Sequence, residues 1–210
     1  MMDSTAITPV TAEDEQQILD AIDKFLERDV RPYVMDIEHA DEYPTDMVEG
    51  MKALGLFGAI IPQEYGGLGL PTTTYARIVE RVSEAWMSLS GIFNSHLIMC
   101  SAVIRHGTED QKREWLPKLA TGEIRGGLAL TEPNCGTDLQ AIRMTAKRDG
   151  DDYIVNGTKT WISNGIHGTL FALLVKTDPN ASPRHAGTSL FLAEKGPGFT
   201  VSRKLEKLGY

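Results

Sequence analysis

The sequence predicts an α+β chain: an all-α N-terminal domain over residues 1–124, then an antiparallel, barrel-like β domain over residues 125–210. Three observations carry this expectation. Apolar residues recur at i, i+3 and i+4 as far as Leu119. Beyond residue 125 that period disappears, and Asx-Gly dipeptides bracket short β-branched runs. The chain of 210 residues, 41% apolar and 24% charged, also has an ordinary globular composition that builds a core without metal or crosslink.

The helices follow in order. Ile18, Ile22, Phe25, Leu26 and Val30 form one stripe behind Thr11 and Asp14, a capping-box-like start, and Pro32 closes the run. A second helix follows Pro44, with Met47, Val48, Met51 and Leu54 inward and Gly55 as its stop. Tyr75, Ile78, Val79 and Val82 make a third stripe, entered through Thr72–Thr74. Leu89, Ile92, Phe93, His96, Leu97, Cys100, Val103 and Ile104 make the most apolar stripe, ending at Gly107. His96 on that stripe reads as a satisfied core histidine, not a ligand. Thr108 with Gln111 caps a last helix through Trp115 to Leu119.

The strands come next. Asp149-Gly150 and Asn156-Gly157 flank Tyr153-Ile154-Val155 and supply the positive φ angles that tight hairpins need. Thr160-Trp161-Ile162-Ser163 alternates like a strand before Asn164-Gly165 turns again. Leu170–Val175 and Ser189–Ala193 are short apolar strands separated by the loop Asp178–Gly187. Five or six such strands leave open sheet edges, and the chain reads as a fragment.

Charge and cysteines exclude several functions. The net charge of −8 opposes nucleic-acid binding. It is unevenly spread: residues 1–70 carry 4 basic and 15 acidic side chains, whereas 139–210 carry 10 and 6. That reads as a solvated acidic face, or as a basic part turned to an anionic ligand. Cys100 and Cys135 have no metal or disulfide pattern, and the histidines have no metal-ligand spacing. No stretch reaches about 18 uninterrupted apolar residues, and Met1–Val10 lacks the marks of a targeting signal, so the expected location is cytoplasmic.

Two clusters concentrate the chemistry. Leu128-Ala129-Leu130-Thr131-Glu132-Pro133-Asn134-Cys135-Gly136-Thr137-Asp138 reads as a strand that turns through Pro and Asn to an open, hydroxyl-bearing backbone, suited to a planar hydrogen-bonding heterocycle or simply an Asx-type turn. In the second, Tyr153–Gly165, alternation puts Trp161 and Ser163 on one strand face, an indole wall beside a hydroxyl, or else a tryptophan filling a β core.

Taken together, L-T-E-P, G-T-D and Y-x-V-N-G-x-K-x-W-I-S-N-G resemble the flavin-binding middle domain of the acyl-CoA dehydrogenase family. The resemblance extends upstream to Pro62–Gly69 and His106–Lys112 and covers nearly the whole chain. It implies a helical N-terminal domain, a β middle domain and a four-helix C-terminal domain missing from this chain, with FAD between the middle and C-terminal domains of a homotetramer. It implies that Leu128, Leu130, Thr131, Gly136 and Thr137 line the isoalloxazine, with Thr131 offering its hydroxyl and N–H to the pyrimidine side. Trp161 and Ile162 lie at the flavin by the same resemblance, Ser163 places a hydroxyl near N5, and Thr137 also touches the thioester substrate.

The resemblance implies an FAD-dependent oxidation of acyl-CoA to 2,3-enoyl-CoA. An electron-transfer flavoprotein is the implied electron acceptor, and a homo-oligomer, tetramer or dimer, the implied assembly. No catalytic residue falls in the chain, because the family's glutamate base belongs to the C-terminal domain; the fragment alone is expected to be inactive. Glu132 reads as loop scaffold. Cys135 stands where a smaller residue is usual, and reads as a turn residue, not a nucleophile. Thr137 and Ser163 exchange one hydroxyl residue for another. The other readings are an acyl-CoA oxidase-type relative and a truncated, non-catalytic module that binds CoA or a partner.

Overall fold

The structure, a computed structural model, describes residues 10–207, so the expectations for the first nine and last three residues lie outside the described residues. The chain divides into two compact units between Glu123 and Ile124.

The first unit is helical. Helix α1 (Ala12–Phe25) starts at the expected capping box, where the Thr11 hydroxyl accepts the Asp14 N–H and the Asp14 carboxylate accepts the Thr11 N–H. It widens into a π-helical turn over Leu26–Val30 that keeps Leu26 and Val30 buried. The sequence misses the next helix, α2 (Val34–Ala40), because its apolar face is only Val34 and Ile37, half-buried against the core, too short a stripe to show a period. Helix α3 (Thr45–Ala53) ends ahead of Gly55, whose φ of 72° makes the left-handed exit a glycine takes without strain. Helices α4 (Thr72–Ala85), α5 (Met87–His106) and α6 (Glu109–Ala120) complete the unit, the last behind the Thr108–Gln111 capping box. Phe25, Met51, Phe57, Ile78, Val82, Phe93 and Leu97 share one core.

Among the described residues, α5 is the one helix long and apolar enough to cross a membrane by mean hydropathy. Ser90, Asn94, Ser95, His96 and Ser101 interrupt its apolar run. Leu89, Phe93 and Leu97 on this helix belong to the helical core.

His96 is a core histidine, as its position on the stripe implied. Its Nε2 lies 3.1 Å from the Leu119 carbonyl and 3.3 Å from Cys100 Sγ, and the Phe57 ring meets it edge-on at 5.2 Å between centroids. Burial pushes the Cys100 thiol far above its ordinary range. A thiol held protonated and out of reach is inert, so an aromatic disulfide reagent is expected to label Cys135 in the native protein and Cys100 only after denaturation. Two labels in the native protein would contradict the packing of α5.

The second unit is a five-stranded sheet of β1 (Gly126–Ala129), β2 (Thr145–Asp149), β3 (Asp152–Asn156), β4 (Leu170–Lys176) and β5 (Thr188–Glu194). The sheet is mixed, which corrects the antiparallel expectation. β4 lies centrally, antiparallel to β5 along its whole length but parallel to β1, with Gly126 opposite Leu170 and Ala129 opposite Leu173. At its far end it meets β2, also parallel, through Thr145 and Lys176. The parallel partners are reached by long connections, so local turn signals could not reveal them.

Of the two expected hairpin turns, one forms. Gly150, at φ 64°, occupies the first position of the two-residue loop between Asp149 and Asp152. Asn156-Gly157 joins no second strand. There Gly157 adopts φ 152° because a Cβ would stand 2.6 Å from Met144 Cγ. Ala129, Ala146, Phe171, Leu173 and Val175 form the sheet core, and Phe199 stacks on Phe171 at 5.6 Å.

Candidate functional site

Both clusters come together beside β1. Leu128 sits on the strand opposite Ala172, and Leu130 and Thr131 leave its end. Glu132 and Cys135 then exchange backbone hydrogen bonds of 3.0 and 3.1 Å across Pro133-Asn134, so the loop doubles back in a two-residue turn. Asn134 Nδ2 donates to the Ala141 carbonyl at 3.0 Å and fastens the loop to the turn Leu139–Ala141. Gly136 and Thr137 are exposed, with open space where a Gly136 Cβ would stand.

The second cluster runs along β1 in the opposite direction. The Arg125 carbonyl faces β4, where it accepts the Leu170 N–H at 3.2 Å; the next carbonyl, Gly126, points the other way and accepts Asn164 Nδ2 at 2.8 Å. At the other end the Thr160 N–H donates to the Thr131 carbonyl at 2.9 Å. Residues 160–164 therefore cover the edge of β1 that no strand pairs, and the two sequence clusters become one site.

This segment is not a strand, which corrects the basis for placing Trp161 and Ser163 on one face. Trp161 takes φ 59° and Asn164 φ 61°. A bulky residue in the left-handed region is uncommon and costs roughly 1–3 kcal/mol, so the surroundings must hold it there. They do so through the Thr160 bond before it and the Gly165 N–H to Ile162 carbonyl bond, 3.0 Å, behind it. The Trp161 side chain is 60% exposed. The Ile162 side chain instead packs against the sheet core, as do those of Met144 and Val155.

Glu132 and Lys159 form a buried ion pair at 2.9 Å, with side chains 3% and 6% exposed. Lys159 Nζ also donates to the Leu130 carbonyl at 2.9 Å. The Glu132 carboxylate accepts the backbone N–H groups of Arg143 at 2.6 Å and Met144 at 3.0 Å. Burial by itself raises the Glu132 pKa, but the hydrogen bonds from Lys159, Arg143 and Met144 outweigh it and hold the carboxyl below the usual glutamate range. A carboxylate so satisfied is a poor base, and the reading of Glu132 as scaffold stands. Lys159 and Asn164 are the site residues to which the sequence analysis assigned no role. The available signal was a lone lysine between Thr158 and Thr160 in the second cluster, with a lone glutamate in the first.

On the same unit, burial chiefly, and then the charges of Arg125, Lys195 and Lys204, hold the His167 imidazole below its ordinary value. The hydroxyls of Thr131, Thr137 and Ser163 and the Trp161 indole N–H make no hydrogen bond to another described residue. Free hydroxyls, an exposed indole and an open glycine backbone are a donor set that fits a flat heterocycle with a hydrogen-bonding edge, as the isoalloxazine of FAD has.

A helical unit followed by a mixed sheet, with a candidate site in the loops along the outer edge of β1, defines an α+β chain. Comparison with known proteins makes this specific. The acyl-CoA dehydrogenase N-terminal domain matches residues 12–123 and the acyl-CoA dehydrogenase middle domain matches residues 127–210. The chain belongs to the acyl-CoA dehydrogenase family.

Mitochondrial isovaleryl-CoA dehydrogenase of Pongo abelii is 35% identical over 202 residues, covering 94% of this chain and 48% of that protein. The crystal structure of an acyl-CoA dehydrogenase from Geobacillus kaustophilus superposes with a TM-score of 0.87 at 41% identity, covering 94% of this chain and 52% of the other. An acyl-CoA dehydrogenase from Bacillus anthracis complexed with FAD gives a TM-score of 0.84 at 30% identity, over 94% and 33% of the two chains. The chain thus spans about half the length of the curated relatives it matches.

Proposed function

We propose that this chain is the N-terminal and middle portion of an FAD-dependent acyl-CoA dehydrogenase that oxidises an acyl-CoA to the 2,3-enoyl-CoA. The observation that carries the reading is the joining of the two clusters along β1, with the Thr131, Thr137 and Ser163 hydroxyls and the Trp161 indole N–H making no hydrogen bond to other described residues. Family membership and the FAD complex of a relative support it.

Bound FAD supplies the acceptor for the hydride that leaves the β carbon. In this reading Thr131 donates its hydroxyl and N–H to the pyrimidine edge, and Ser163 holds a hydroxyl near N5. Leu128, Leu130 and Gly136 line the ring, Trp161 lies against it, and the Ile162 backbone flanks it. Thr137 meets the thioester. Proton removal α to the thioester falls to a carboxylate outside these 210 residues. Electron-transfer flavoprotein is the proposed acceptor, a homotetramer or homodimer the proposed assembly, and the cytoplasm the proposed location.

The test is spectroscopic. The purified protein is expected to carry a flavin absorption band, and a colourless protein that takes up no FAD on titration would overturn the reading. Thr131→Val removes a hydroxyl at nearly constant volume and is expected to weaken FAD binding by the net worth of one hydrogen bond, about 0.5–1.5 kcal/mol. Unchanged FAD affinity would remove Thr131 from the contact set.

A further inference from the structure

The Glu132–Lys159 pair ties together three stretches of chain, residues 130–132, 143–144 and 159. Lys159 reaches the Leu130 carbonyl in the first cluster, while Glu132 reaches the Arg143 and Met144 amides at the entry to β2. Lys159 immediately precedes Thr160, whose N–H bonds Thr131, and Trp161, which is held in the left-handed region. Beside this pair, single hydrogen bonds join Thr160 to Thr131 and Asn164 to Gly126 on β1. An ammonium and a carboxylate this far removed from water keep their geometry only when their partners are complete, and those partners are the backbone of the proposed cofactor loop.

We propose that Lys159 and Glu132 are a positioning pair: the buried ionic tie holds residues 158–165 against the Leu130–Thr137 loop, and so sets the arrangement of Thr131, Trp161 and Ser163 offered to FAD. The inference rests on the cofactor reading above. Neither residue touches the reacting atoms. Lys159 acts through the Leu130 carbonyl and through the turn that begins at Thr160, and Glu132 acts by keeping the Lys159 ammonium in place.

The experiment titrates FAD into the apoprotein of wild type, Lys159→Met, Lys159→Arg and Val175→Ala. It reads the dissociation constant, the visible flavin spectrum and amide exchange at Thr160. Val175 lies in the sheet core on β4, is fully buried and takes no part in either cluster, so it controls for general loss of stability. Lys159→Met is expected to weaken FAD about tenfold or more, to shift the bound flavin's absorption maximum and to speed exchange at Thr160, a loss on the scale of one charge-assisted hydrogen bond. Lys159→Arg, which keeps the charge, is expected to recover most of the affinity. Val175→Ala is expected to lower thermal stability while leaving FAD affinity within about twofold, since it removes only packing.

A wild type that binds FAD beside a Lys159→Met protein that binds it equally well overturns the proposal alone. A wild type that binds no FAD overturns the cofactor reading and the proposal with it. Equal weakening by Val175→Ala and Lys159→Met also overturns the proposal, because the effect would then follow stability, not position. Should Lys159→Met not fold, Glu132→Gln is read by the same three measurements and against the same outcomes.

Discussion

Glu132→Ala is expected to destabilise the sheet unit by about 3–5 kcal/mol at neutral pH, the cost of leaving one member of a buried ion pair without its partner. The Glu132 and Lys159 side chains are 3% and 6% exposed, so solvent screening does little to reduce that cost. Truncation also strips the acceptor from the Arg143 and Met144 amides, two donors at the point where the chain enters β2. Against a total domain stability of about 5–15 kcal/mol this is a large fraction.

The effect has a pH signature with a definite sign. The folded pKa of Glu132 is lowered, so its contribution is fully present above the ordinary glutamate range. It is lost as pH falls through the lowered folded value. The wild-type and Glu132→Ala proteins are therefore expected to converge in stability on acidification. Urea unfolding at pH 7 and at successively lower pH measures both. A loss below about 1 kcal/mol at pH 7, in the range of an exposed pair, would mean that the carboxylate is solvated in solution.

The same residues explain how much was legible from sequence. Helices α1, α3, α4, α5 and α6 could be read because burial of one face imposes a period on the sequence, and Thr11–Asp14 and Thr108–Gln111 mark two starts by local hydrogen bonds. Helix α2 could not be read, since it offers the core only Val34 and Ile37, both half-buried. The strands β3, β4 and β5 were legible from apolar runs and the Asp149-Gly150 turn, but β2, a polar stretch, and the strand partners were not. The parallel neighbours of β4 are chosen by packing across about forty residues of intervening chain for β1 and about twenty for β2, which leaves no local mark.

The Trp161 segment failed for a different reason. Its alternation is genuine, but alternation specifies a strand only when a neighbouring strand takes up the ladder. Here Gly157 bends the chain around Met144, and Lys159 turns inward to Glu132. The motif spacing identified which residues gather at the site. How they are held, by a lysine and an asparagine side chain bonded to backbone carbonyls, depends on contacts between residues 29 and 38 positions apart.

A polypeptide of these 210 residues alone is expected to show no acyl-CoA-dependent reduction of flavin. Removal of the α proton needs a carboxylate that is ionised yet available, with a pKa matched to the task. Glu132 is the one carboxylate among the buried polar residues of the described chain, and it is next to the candidate site. It is committed to Lys159, Arg143 and Met144, which stabilise its ionised form and leave it little tendency to accept a proton. Asp138, exposed beyond Thr137, is open to water, which opposes the desolvation that a base for this step uses. The measurement is anaerobic addition of acyl-CoA to the FAD-loaded polypeptide, its mass confirmed, with the flavin band followed in time. Bleaching at about 1 per second or faster, a rate ordinary for enzymes, would place a working base within these residues. Asp138→Asn would then be the first variant to examine: loss of bleaching in it would mark Asp138 as that base, while bleaching that persisted would turn the search to Glu132 and to a Glu132–Lys159 pair that opens when acyl-CoA binds.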